Sequence, residues 1–386
     1  HMADSTRRHF LTSGMAAATS LAAWPAHAVW KGNMSDYTVR DPLAGYFDLD
    51  ERRRIATELP NIPVTQARLR AMKAPDHDKV MAIPVQHQTI DIPPFYEKNA
   101  EWRIAVAPFR DFEDAASNLA AANLVAPNDG HADCLIDLLV QWAELNALAK
   151  FNYSKQYRQG WFQVESTLFA IGHALAAVRP DILHREDELH LIDTWLNRTS
   201  RLHFAETGQP GGTCCNNHYY RRAVHAAMIG VVTNDNRLFR QGVGAVYSAL
   251  TGATHEGALP LELKRGPLAA HYQNYAAMYL AMIAEIATRQ GYPLWDLEID
   301  GKSLHTLIEF NNKIMADPNF VLAYSGADEV SLKYRKDKQY FAWYELYLAR
   351  YQNSQMAEWI KDKRPLYNRS LGGHMTLYFY PGVKEG

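Results

Sequence analysis

Two stretches hold the residues best suited to chemistry: Thr213-Cys214-Cys215-Asn216-Asn217-His218-Tyr219-Tyr220, and then Leu261-Glu262-Leu263-Lys264-Arg265-Gly266 with Tyr272 beyond it. They offer an amide, an imidazole, a guanidinium and a phenol. Such a set can neutralise a carboxylate, take a weakly acidic proton from the carbon beside it and reprotonate a departing oxygen. That is the chemistry of a β-elimination on a uronic acid. The proton on carbon 5 is hard to remove because the resulting anion spreads into a carboxylate that already carries charge. Arg265 offers permanent charge and a bidentate fork, and Asn217 a neutral donor; interactions aimed at the developing dianion are worth roughly 10²-fold or more in rate. A tyrosine, with an ordinary pKa of about 10, needs a nearby cation to serve as base, and Arg265 can be that helper for Tyr272.

Stereochemistry narrows the expectation. In mannuronate and glucuronate the carbon 5 hydrogen and the carbon 4 oxygen lie on one face, so Tyr272 alone can be base and then acid. In guluronate they lie on opposite faces and a second group is needed, for which His218 is available. Mannuronate and glucuronate differ only at carbon 2, so the reacting groups cannot choose between them.

The elements that must hold these residues read as helices. Apolar positions recur at three and four residues over 132–149, 161–178, 186–202, 219–232, 238–251, 269–289 and 304–315, with Pro180, Pro210, Pro260, Pro293 and Pro318 between them. So many helical hairpins either stack as an open solenoid or close on themselves, and no short exact sequence period supports the solenoid. The expected fold is all-α, an (α/α) toroid with a deep substrate cleft at the mouth where loops converge. Only 375–379 resembles a strand. The polar, Pro-rich stretch 73–101 reads either as a lid over the cleft or as an ordinary surface loop.

His1-Met2 reads as a cloning remnant. Thr6-Arg7-Arg8-His9-Phe10-Leu11 is a twin-arginine pattern, followed by an Ala-rich apolar run and an Ala26-His27-Ala28 cleavage site. Residues 1–28 are therefore expected to be a signal segment, and 29–386 a single domain working in the bacterial periplasm or outside the cell, with no membrane span in the mature form. A 47% hydrophobic content supports a sizeable core, and a net charge of −2 gives no broad basic field for nucleic acid. The expected partner is an anionic polysaccharide held in a local groove, and the chain is expected to be a monomer. Cys214 and Cys215 could form a vicinal disulfide, remain reduced or bind metal; no C-x-x-C or H-x-x-x-H pattern lies nearby to complete a metal site. No metal is expected, and Cys134 reads as a buried thiol.

Cys-Cys-Asn-Asn-His, Leu-Pro-Leu-Glu-Leu-x-Arg-Gly and the Tyr272 that follows resemble polysaccharide lyase family 5, the alginate lyases that cleave mannuronate-rich chains. The intervals from His218 to Arg265 and from Arg265 to Tyr272 agree, as do Arg364-Pro365-Leu366-Tyr367 and Ser370-Leu371-Gly372-Gly373 near the end. The likeness spans roughly 130–373. It implies an (α/α) toroid with a tunnel-like cleft and no required cofactor. It also implies that Asn217 and Arg265 bind the uronate carboxylate, that His218 supports proton abstraction or holds the carboxylate, that Tyr272 moves protons, and that adjacent cysteines belong to the pattern. The chain departs from the family where Asn-Asn-His-x-Tyr-Trp becomes Asn216-Asn217-His218-Tyr219-Tyr220-Arg221. A ring that could stack on sugar is replaced by a cation, which faces either the cleft or solvent.

Other residues carry two readings each. Tyr220 and Arg221 are candidate sugar contacts. His271 and Tyr275 share a helix face and either line the cleft or fill core. Gln163 and Glu165 either bond sugar hydroxyls or serve the start of their helix. Lys333, Arg335, Lys336 and Lys338 are a solvated surface or a basic rim. Trp343, Tyr344 and Tyr347 are expected in the core. A glycoside hydrolase would need two carboxylates about 5 to 9.5 Å apart; Glu256 and Glu262 are the nearest pair, and Glu262 is better placed to orient Arg265. A polyuronate-binding protein without turnover would not require the full Asn217, His218, Arg265 and Tyr272 set.

Overall fold

The computed structural model describes residues 29–382 apart from 59, 60 and 155. The expected signal segment 1–28 lies outside the described residues. In chain order the helices are α1 (Leu49–Glu58), α2 (Ile62–Ala71), α3 (His77–Met81), α4 (Asn99–Val125), α5 (His131–Glu144), α6 (Gln159–Val178), α7 (Glu186–Ala205), α8 (Asn217–Val232), α9 (Asn236–Gly252), the single turn α10 (Pro260–Leu263), α11 (Ala269–Arg289) and α12 (Leu304–Ala316). The short helices α13 (Leu322–Ser325), α14 (Tyr344–Leu348), α15 (Ser354–Ile360) and α16 (Met375–Phe379) follow.

Apolar patterning sorts these helices into two layers. From Val164 to Val178 nearly every residue of α6 is buried, and α8 and α11 are similar, so these helices are enclosed on all sides. Helix α7 instead buries one stripe, Leu189, Ile192, Trp195, Leu196, Thr199, Ser200 and His203, and turns charge to water. The inner helices α4, α6, α8 and α11 pack in succession; α5, α7, α9 and α12 back them from outside. The 3₁₀ turn Arg369–Leu371 touches α4, α6 and α11 and so fills the gap between the first and last inner helices. This is the (α/α) toroid that the helical periodicity led one to expect, and among the described residues only isolated β-bridges occur.

Three features differ from the sequence reading. The 27-residue α4, the first inner helix, was not anticipated; it carries Pro108, whose missing N–H leaves the carbonyl of Ile104 free, and Ile104 is 77% exposed to water. The segment 375–379 is helical, not a strand. All five of its residues are buried, so it lacks the one-sided alternation that separates strand from helix in a short apolar run. It packs on α1 and α2, and Arg52 closes it by donating to the carbonyls of Leu377 and Tyr380. Helix α5 ends at Glu144 rather than 149, because Asn146 and Leu148 turn to positive φ.

Candidate active site

Helix α8 is aimed by its N-terminus. Asn216 caps it, its side chain accepting from the His218 N–H at 3.0 Å. The preceding loop folds on itself: Gln209 donates to the Thr213 hydroxyl, and Cys214 N–H to the Gln209 carbonyl. Gly208, at φ +76, is required there because a Cβ would meet Thr213 and Cys214 backbone at 2.8 Å. Cys214 and Cys215 are joined by a disulfide, and Arg222, buried over the Trp161 ring, donates to the Thr213 carbonyl at 2.9 Å. The loop thus delivers Asn217 and His218 in a fixed position, at the positive end of a 16-residue helix.

Glu262, on α10, holds Asn217. Its carboxylate accepts the Asn217 backbone N–H at 2.5 Å and Nδ2 at 2.9 Å. Burial pushes Glu262 up to about 7, opposed by those two hydrogen bonds and by the charge of Arg265. The expectation that the Glu262 side chain orients Arg265 is thereby corrected: with both carboxylate oxygens given to Asn217, that side chain acts on Arg265 through charge, and only the Glu262 backbone carbonyl bonds it, accepting the Arg265 N–H at 3.2 Å. The Arg265 guanidinium instead lies 3.8 Å from the centroid of the Tyr272 ring. The Tyr272 hydroxyl is 3.3 Å from that of Tyr96, which is 68% exposed. Burial and Tyr96 push the Tyr272 phenol up to about 12, against the pull of Arg265.

Asn217, His218, Arg265 and Tyr272 line one cleft of about 690 Å³, together with Phe95, Tyr96, Phe162, Arg221, His271, Tyr275 and Tyr340. His218 stacks on Phe162 at 3.9 Å, with Nδ1 3.6 Å from Glu165. Burial lowers its pKa to about 4 although Glu165 pulls the other way, so it is neutral at neutral pH. His271 stacks face to face on Tyr275 at 4.9 Å and is likewise held down at about 4, by burial and then Arg265. The shared face of His271 and Tyr275 therefore points into the cleft.

Arg221 also lines the cleft, and Glu165 is the reason it is tolerated there. Its Nε donates to Glu165, and its Nη2 to the Phe162 carbonyl at 3.3 Å. Glu165 is fully buried. Burial alone would raise its carboxyl, but Arg221, His218 and Arg222 together hold it well below the usual range. One carboxylate faces two guanidinium groups here, leaving positive charge beneath His218. The sequence offered Glu165 as a sugar contact or a helix-start residue, not as the partner of Arg221; its spacing from Arg221 carries no signal, because α6 and α8 meet only in the tertiary structure.

Two expected contacts are not in the cleft. Gln163 is 9% exposed and turns along α6 to the Thr167 hydroxyl, 3.2 Å away. Tyr220 is buried behind the disulfide, among Cys215, Ser248 and Leu259, because at the start of α8 its side chain points opposite to His218 and Arg221. Of the stretch 73–101, residues 94–97 form one wall of the cleft. Trp343, Tyr344 and Tyr347 are in the core. Among the described residues no three His, Cys, Asp or Glu side chains are grouped to hold a metal, and no helix is long and apolar enough to cross a membrane.

A two-layered toroid of helices with these groups on its cleft defines an enzyme, a polysaccharide lyase. The chain belongs to the alginate lyase family, whose model matches residues 56–321. It is 28% identical over 281 residues to an alginate lyase of Pseudomonas aeruginosa, covering 72% of this chain and 76% of that one. It is 24% identical over 282 residues to a polysaccharide lyase of Stenotrophomonas maltophilia, covering 72% and 81% respectively. Among solved structures, alginate lyase A1-III from Sphingomonas species A1 superposes with a TM-score of 0.79 at 26% identity, covering 91% of this chain and 100% of that one. A tetrasaccharide complex of a variant of the same enzyme gives a TM-score of 0.80 at 26% identity, covering 92% and 100%.

Proposed function

We propose that the protein cleaves β-1,4-linked polyuronate, poly-mannuronate of the alginate type first, by syn β-elimination. The observation that carries this reading is the convergence of Asn217, His218, Arg265 and Tyr272 on one cleft, with the guanidinium of Arg265 against the ring of Tyr272. Asn217 and Arg265 neutralise the carboxylate of the sugar that loses its proton, assisted by the N-terminal end of α8. His218, being neutral, contributes a hydrogen bond rather than charge. Tyr272 takes the carbon 5 proton and passes it to the carbon 4 oxygen. The carbon–hydrogen and carbon–oxygen bonds break, the carbon 4–carbon 5 double bond forms, and the leaving chain departs protonated. No cofactor enters this sequence.

Residues 94–97 act as a lid, with Tyr96 closing over Tyr272. The twin-arginine pattern supports export of the folded chain to the periplasm, where an adjacent-cysteine disulfide persists. Replacing Arg7 and Arg8 by lysine should leave the protein in the cytoplasm, and cell fractionation checks this. The second reading is poly-glucuronate. It is favoured by Arg221, a cation on the cleft wall where the family pattern has tryptophan.

The test is ultraviolet absorbance of the unsaturated uronate during incubation with poly-mannuronate, poly-guluronate and poly-glucuronate separately. The greatest rise is expected on poly-mannuronate, and a greater one on poly-glucuronate selects the second reading. New reducing ends without that absorbance would mean hydrolysis and end the proposal.

A further inference from the structure

Beyond the cleft lies a second depression of about 610 Å³, lined by Arg70, Lys336, Lys338, Arg369, Tyr367 and Gln339, among others. The two cavities adjoin at consecutive residues: Tyr340 lines the cleft and Gln339 the depression. Three distant segments supply its cations. Arg70 comes from α2, Lys336 and Lys338 from the 3₁₀ turns Lys333–Lys336 and Lys338–Phe341, and Arg369 from the turn that closes the toroid. The basic run seen in the sequence is divided here. Arg335 turns inward and donates to the carbonyls of Ile314 and Met315, whereas Lys336 and Lys338 face the depression.

The acids nearby are already engaged. Asp337 accepts from the backbone and side-chain nitrogens of Gln339. Asp114 accepts the Tyr367 hydroxyl at 2.6 Å and pairs with Arg369 at 2.9 Å, which pins that guanidinium in place. Arg70 lies over the Tyr367 ring at 4.7 Å. Among the described residues, Arg70, Lys336 and Lys338 make no ion pair. In a chain whose net charge is −2, these three cations outnumber the one carboxylate beside them that is not ion-paired, Asp337, and leave a local excess of positive charge beside a cleft for a polyanion.

We propose that the depression is a distal subsite, binding carboxylates of a polyuronate chain that has run past Tyr340, so that the enzyme favours long chains over short ones. The inference rests on the polyuronate reading of the cleft. The test compares the wild type with the Lys336→Gln/Lys338→Gln variant on a long polyuronate and on a trisaccharide of the same uronate, which can occupy the cleft alone. Both lysines are exposed, so an unchanged melting temperature is expected and controls for folding.

The KM for the long chain should rise roughly tenfold at low ionic strength, and its dependence on salt should weaken, while kcat/KM for the trisaccharide stays unchanged. Removing one charge elsewhere, by Lys313→Gln on the exposed side of α12, should move neither value. Equal losses on both substrates, no loss on the long chain, or a similar loss from Lys313→Gln would overturn the subsite. Failure of the wild type to form unsaturated product from any polyuronate would instead overturn the reading of the cleft, a distinct result. In that case a long chain that binds wild type and variant with equal affinity removes the subsite as well.

Discussion

As the proposed base, Tyr272 starts from an unfavourable position. Its phenol is pushed up to about 12, because burial and the Tyr96 hydroxyl outweigh the guanidinium of Arg265. Below that pKa the phenolate fraction grows about tenfold per pH unit, so kcat/KM should rise through the neutral and alkaline range. His218 and His271, both neutral above about 4, should add no inflection near the ordinary histidine value. A pH profile with a histidine-dependent step between pH 6 and 7, roughly the unperturbed range, would contradict this. Tyr272→Phe should lower kcat by about 10² to 10⁴ while the melting temperature holds, since the lost hydroxyl meets only the exposed Tyr96 hydroxyl and the Arg265 guanidinium on the cleft wall. At this scale the sequence was informative. The types and spacing of Asn217, His218, Arg265 and Tyr272 put forward the groups that the fold brings onto one cleft, because a motif fixes which chemistry is available. It misplaced Tyr220 and Gln163, since the direction of a side chain around a helix depends on which face the neighbouring helices bury.

The long helices give the cleft its rigidity through close approach. Gly242 of α9 packs against α8 so tightly that a Cβ would lie 2.6 Å from the Ala223 carbonyl oxygen and from the Ala227 Cβ. Gly242→Ala raises helix propensity by up to about 1 kcal/mol, yet backbone cannot yield as a flexible side chain would. The substitution should therefore destabilise the protein, by about 1 to 3 kcal/mol net, as measured by urea denaturation. A stabilised variant would refute this account of the α8–α9 contact. Periodicity revealed seven of these helices because their apolar positions repeat. It missed α4, where Pro108 interrupts the signal, and misread α16, whose five residues are too few to show a period.

For the whole molecule, buried titratable groups set the pH range of stability. His173, His203, His218, His271 and His374 are held down at about 3 to 4, chiefly by burial, so the unfolded chain binds more protons and stability rises as pH climbs from about 4 to 6.5. Glu113 and Glu262 act oppositely. Burial pushes both up to about 7, so the stability they contribute is present below the unfolded value of 4.5 and is lost as pH rises through about 7. Because five histidines outweigh two glutamates, stability should rise from about pH 4 and level off above about pH 7. Urea midpoints across pH check this, and Glu113→Gln should steepen the rise between about pH 4.5 and 7, where that carboxyl opposes the histidines.

The sequence by itself determined the helical class and the family resemblance and put forward Asn217, His218, Arg265 and Tyr272 for the proposed elimination, because periodicity and motif spacing are local properties that a chain displays before it folds. Only the tertiary structure decided that Glu165 meets Arg221 across α6 and α8, that Glu262 serves Asn217 rather than Arg265, and that Arg70, Lys336, Lys338 and Arg369 share one depression. Those pairings join residues far apart in the chain. Which of them form depends on how the layers of helices pack, and packing is a property of the whole chain that no single segment encodes.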